Sequence, residues 1–125
     1  MTKYPFLTPE QDAEFDHFVA VWQAKLNLQD WRIERGPSRA KGAMASVDCN
    51  YGARLATYCT GGWPTPVTSA SIEATVAHEL LHVLLKEVLH LTAAEAGEDV
   101  LESAEHRVIN TLEKLLMRRL CQPQS

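Results

Sequence analysis

His78-Glu79-Leu80-Leu81-His82 stands inside a run of helical character, and its reading decides how the rest of the chain is understood. Side chains four residues apart lie on one face of a helix, so His78 and His82 can both reach a single ion. Glu79 follows the first histidine directly and can reach a water held in that ion's open position. This H-E-x-x-H spacing is that of a zinc site in which the glutamate acts as general base. Around it, Ile72, Val76, Leu80, Val83, Leu84 and Val88 recur at helical spacing and predict a helix packed on a core, running to about His90. His78, Glu79 and His82 fall along the border of that apolar face, where a cleft would open.

A catalytic zinc takes three protein ligands and keeps one position for water. The extended pattern H-E-x-x-H-x-x-G-x-x-H is absent, because Leu85 and Val88 occupy the places of its glycine and third histidine. His90 lies more than two turns beyond His82 and points to another side of the helix. The third donor must therefore come from a later segment, where Glu102, Glu105 and His106 are the candidates. Glu105 is preferred: it borders a stripe set by Leu101, Val108 and Leu112, and a carboxylate in such a seam is costly unless paired or bound to metal. Glu102 and His106 stay open as alternatives. Tyr51, Tyr58 and a spare histidine, His90 or His106, are candidates for stabilising a developing oxyanion.

The 125 residues make one domain, 1–125, long enough for a core without disulfide staples. With 12 basic against 16 acidic residues the net charge is −4, which argues against general nucleic-acid binding. Arg32, Arg35, Arg39, Lys41 and Arg54 cluster locally, and they read as solvated strand and loop charges. Three cysteines, Cys49, Cys59 and Cys121, have no C-x-x-C spacing. In a hairpin turning at Asn50-Tyr51-Gly52, Cys49 would not face Cys59, so reduced thiols and a cytoplasmic setting are expected. No membrane span or leader segment is expected.

Thr8-Pro9-Glu10-Gln11 reads as a capping box with proline at the first helical position. Phe15, Phe18, Val19, Trp22 and Leu26 then share a face, predicting a helix from Pro9 to about Asn27. His17 lies off that stripe and reads as a surface residue. Asp30 to Arg35 alternates apolar and charged side chains as a half-buried strand does, and Gly36-Pro37-Ser38 ends it. Ala43–Cys49 and Arg54–Cys59 predict a β-hairpin. Thr68 to Ser71 can cap the motif helix, and Glu73 suits its positive end. Thr92-Ala93-Ala94-Glu95 offers a further capping box. Beyond Gly97, Leu101, Ala104, Val108, Leu112, Leu115 and Leu116 predict a third helix, closed by Lys114, Arg118 and Arg119. Gln122 to Ser125 should fray.

At His78-Glu79-Leu80-Leu81-His82 the chain resembles a zincin, and the acidic segment with Glu102 and Glu105 is similar to the branch with a glutamate ligand. The order of helix, Trp31-Arg32-Ile33 strand, small hairpin, motif helix and closing helix resembles minimal phage- and prophage-type metallopeptidase-like proteins related to the SprT-like and ImmA-type groups. The resemblance implies an α+β zincin-like domain: an N-terminal helix, a small antiparallel sheet, the HExxH helix and a C-terminal helix bearing a ligand. It also implies His78 and His82 as ligands of one zinc ion and Glu79 as general base. The expected function is hydrolysis of peptide bonds in a peptide or protein substrate, with the strand from Arg54 to Cys59, which precedes the motif helix, expected as an edge strand able to pair with extended peptide. The alternative is a non-catalytic zinc-binding module in a phage or regulatory assembly.

Overall fold

Thr8 begins the first helix as its sequence requires. The Gln11 N–H donates to Thr8 Oγ1 at 3.2 Å, and the Thr8 N–H donates to Gln11 Oε1 at 2.9 Å, closing the capping box. Helix α1 (Pro9–Lys25) buries Phe15, Val19 and Trp22 and leaves His17 exposed. It stops within two residues of the expected end, where Asn27 takes a φ of 58°, a left-handed conformation that asparagine tolerates at a helix terminus. The computed structural model describes residues 4–96, with side chains as far as residue 86, and residues 102, 103, 105, 106, 109, 110 and 112–114.

Three strands follow: β1 (Arg32–Arg35), β2 (Ala45–Asn50) and β3 (Leu55–Thr60), in the order β1-β3-β2. The hairpin expected about Asn50-Tyr51-Gly52 is present, with β2 antiparallel to β3. The sheet is mixed rather than antiparallel throughout, because β1 pairs parallel to β3. The reason lies in residues 36–44, which cross the end of β3 instead of turning back beside it. Gly36 N–H donates to Tyr58 O at 2.7 Å, Ala40 N–H to Thr60 O at 3.1 Å, and Gly61 N–H to Met44 O at 2.8 Å. A Cβ on Gly61 would lie 2.2 Å from Ala43 O and 2.6 Å from Ala40 O, so only glycine lets this crossing pass so closely.

Cross-strand partners show which residues share a face. Ala45, Val47 and Cys49 of β2 stand opposite Thr60, Tyr58 and Ala56 of β3, and this face carries the core. Cys59 is opposite Ser46 and points the other way, so Cys49 and Cys59 lie on different faces and both are free thiols. Arg35 joins the sheet to α1: its guanidinium reaches Asp16 at 2.8 Å and Thr60 Oγ1 at 3.0 Å, while the Tyr58 hydroxyl donates to Asp16 at 2.7 Å. The arginines of the local basic cluster have acidic neighbours. Arg32 pairs with Glu34, Arg54 with Asp30 at 3.1 Å, and Arg39 lies 3.9 Å from Asp12.

Helix α2 (Ser69–Ala96) starts with a reciprocal pair at 3.0 Å each, Ser71 N–H to Thr68 Oγ1 and Thr68 N–H to Ser71 Oγ. Glu73 does more than suit the helix dipole, since its carboxylate accepts from Trp22 Nε1–H at 2.9 Å and ties α2 to α1. The helix continues six residues past His90 to Ala96, through the stretch that offered a capping box. Thr92-Ala93-Ala94-Glu95 is rich in good helix formers, and an unbroken helix satisfies its backbone without a cap. Ile72, Val76, Leu80 and Val83 enter the main core as expected, whereas Leu84 is 37% exposed. Leu81 is buried instead, apart from the main cluster, as is Ile109.

The described residues from 102 to 114 are helical and belong to the expected third helix. Leu101, Ala104, Val108, Leu115, Leu116, Arg118, Arg119, Cys121 and the terminal Gln122 to Ser125 lie outside the described residues. The architecture is thus α+β, with three helices and one three-stranded mixed sheet among the described residues. No helix among the described residues is long and apolar enough to cross a membrane.

Gly61→Ala is expected to lower stability by about 1–3 kcal/mol, because the new methyl meets two backbone carbonyls that cannot rotate away. Gly52→Ala, whose Cβ would meet only Asn50 Oδ1 at 3.7 Å, should stay within about 0.5 kcal/mol of the parent. The midpoints of urea unfolding compare the two.

Candidate metal centre

The motif lies in the middle of α2, where the helix is buried on more than one side. Ala77, Leu80 and Leu81 are buried, and His78, Glu79 and His82 occupy the partly exposed border between them. The imidazoles of His78 and His82 sit edge to face with ring centroids 5.1 Å apart. The third helix brings His106 to the same place, 4.8 Å from the His82 ring and 6.2 Å from that of His78. One nitrogen of each of the three histidines lies within 4.8 Å of the others.

These three histidines could hold a metal ion. Imidazole nitrogens are suitable donors for zinc and for several other transition metals. In a tetrahedral site with bonds near 2.1 Å, donor nitrogens stand roughly 3.4 Å apart. His106 is exposed, which leaves its imidazole the least confined of the three.

The group of possible ligands differs from the sequence expectation at its third member. Glu105, the preferred third donor, is not grouped with the two motif histidines; His106, the next residue, is. Glu105 Oε1 lies behind His82, 3.3 Å from Nδ1, with only 14% of its side chain exposed. The physical reasoning that a carboxylate in this seam needs a partner holds, but the partner is the back of an imidazole. Glu102 is exposed and also outside the group. Glu113, which the sequence reading passed over, places Oε2 2.8 Å from His78 Nδ1, within hydrogen-bonding distance. Its signal was available: Glu105, Ile109 and Glu113 recur every fourth residue and define one face.

The carboxylates set the electrostatics. The hydrogen bond to Glu113 raises the pKa of His78 above the ordinary imidazole value, against the opposing effect of burial. Burial lowers that of His82, with Glu105 pulling the other way and the neighbouring histidines adding to the fall. Burial pushes the Glu79 carboxyl up to about 7, while His78 draws it down. The Glu79 carboxyl therefore takes up a proton more readily than an exposed glutamate.

Two other candidates, both tyrosines, have contacts away from the histidines. The Tyr58 hydroxyl is committed to Asp16 on the α1 side, and burial, reinforced by Asp16, raises its pKa strongly. Tyr58 therefore does not serve the centre. Tyr51 lies in the hairpin turn with its ring 4.9 Å from the Arg54 guanidinium. The side chain of His90 lies outside the described residues. None of the family models, curated proteins or solved structures compared with this chain matches it.

Metal content after dialysis against zinc separates the ligand from its neighbours. His106→Ala should lose bound metal by more than the 10–100-fold expected for a residue that only orients a ligand. Glu102→Ala should retain the wild-type stoichiometry. Full retention of metal by His106→Ala would return the third position to Glu105.

Proposed function

We propose that this chain is a small zinc-dependent peptidase of the zincin kind, with His78, His82 and His106 as the metal ligands and Glu79 as general base. The observation that carries this reading is the meeting of both motif histidines with a third imidazole from another helix, beside the partly buried Glu79 carboxyl. A purely structural zinc site has all four positions filled by protein and no use for a base at its edge. Zinc, when bound, supplies Lewis acidity and lowers the pKa of a coordinated water toward neutrality.

The chain's own residues account for the proton movements. The Glu79 carboxylate takes the proton of the attacking water and returns it to the nitrogen of the leaving amine.

Extended peptide is the favoured substrate. The strand preceding the motif helix, β3, is central and paired on both sides, so it cannot accept a further strand. The edge strand that packs against α2 is β2, and its outer side has no partner strand among the described residues. Peptide added there would run past the centre, with main-chain hydrogen bonds fixing its register. Free thiols at Cys49 and Cys59 support a reducing, cytoplasmic setting.

Glu79→Gln should lower peptide hydrolysis by about 10²–10⁴-fold while zinc content stays at the wild-type level. Turnover and metal measured on the same preparation test this. A wild type that binds zinc yet cleaves no peptide from a diverse library would point to the non-catalytic binding module instead.

A further inference from the structure

We propose that Glu113 and Glu105 are positioning residues that hold His78 and His82 in the tautomer with the proton on Nδ1 and the lone pair on Nε2. The inference rests on the metal-site reading above. Glu113 Oε2 stands 2.8 Å from Nδ1 of His78, and Glu105 Oε1 stands 3.3 Å from Nδ1 of His82. An ionised carboxylate only accepts hydrogen bonds, so the ring proton that satisfies this contact sits on Nδ1. Nε2 is then left as the free donor on both rings, and each ring is held at its back against rotation.

Both carboxylates come from the helix that also contributes His106. The pairing runs in opposite order along the two helices, His78 with Glu113 and His82 with Glu105, as it does between antiparallel neighbours. Ile109, fully buried, lies one helical turn from each carboxylate on the same face. Only 22% of the Glu113 side chain and 14% of that of Glu105 are exposed, so both contacts act across a poorly hydrated seam. Three neutral imidazoles would leave the charge of a divalent ion uncompensated. Glu113 and Glu105 place negative charge behind two of them, which raises the basicity of each donor nitrogen. The third helix thus supplies one ligand and aims the other two.

Glu113 carries the larger share, its contact being the shorter, and its variants make the test. Ring-nitrogen NMR on the wild type, Glu113→Ala and Glu113→Gln, at a pH where imidazole is neutral, reads the His78 tautomer. Competition with a chelator gives the zinc affinity of the same proteins. The wild type should show the Nδ1–H form. Glu113→Ala should shift His78 toward Nε2–H and weaken zinc by about 10–100-fold. Glu113→Gln, whose amide oxygen still accepts from Nδ1–H, should keep the tautomer and recover most of the affinity. An Nε2–H wild type, or a Glu113→Ala protein with unchanged tautomer and affinity, would overturn the positioning role. So would equal zinc losses in Gln and Ala variants that both keep the Nδ1–H form, since that pattern belongs to helix docking alone. If the wild type takes up no zinc, the peptidase reading falls, while the tautomer of His78 still decides the role of Glu113.

Discussion

Two helices meet in this protein along a seam that is polar where helix seams are usually apolar. His78 and His82 on α2 face Glu113, Glu105 and His106 on the third helix, with little of the two glutamates exposed. Unpaired carboxylates and imidazoles in such a place cost several kcal/mol each, and the cost disappears only when they satisfy one another or bind a charge between them. Carboxylates stand at Nδ1 of His78 and of His82, and one nitrogen of each of the three histidines lies within 4.8 Å of the others. Such a group could hold a metal ion, and that is how the seam and the proposed chemistry are joined.

The rest of the fold holds α2 steady at that seam. Trp22 and Glu73 lock α1 to the first turns of α2, and Ile72, Val76, Leu80 and Val83 bury its other side in the main core. The Arg35, Asp16 and Tyr58 network fixes α1 to the sheet in turn. β2 lies against α2 as an edge strand because β1 has crossed to the far side of β3, a route that depends on the missing side chain of Gly61. The crossing therefore decides which strand edge lies near the centre. Cys49, on the core face of β2, is close enough to Lys86, Glu105 and Glu79 to feel their charges, and burial pushes its thiol up to about 11.

Local chemistry made much of this legible from residues alone. A capping box needs only four consecutive side chains, so Thr8 and Gln11 announced α1, and Asn50-Tyr51-Gly52 announced the hairpin. The H-E-x-x-H spacing placed two imidazoles on one face because the helix repeat alone determines it. What escaped the sequence was set by contacts between distant segments. The parallel pairing of β1 depends on where residues 36–44 cross, and alternation within Trp31 to Arg35 says nothing of that. On the third helix the buried Ile109 lies one turn from both Glu105 and Glu113, and residue types alone did not say which side chain each carboxylate would meet: Glu105 stands 3.3 Å from His82 Nδ1 and Glu113 2.8 Å from His78 Nδ1.

X-ray absorption on the zinc-loaded protein tests the central claim most directly, because it counts the donors around the ion. Three imidazole nitrogens near 2.0 Å with one further oxygen, from water, is the predicted coordination. Two imidazoles with a protein carboxylate, or four protein donors and no water, would contradict it.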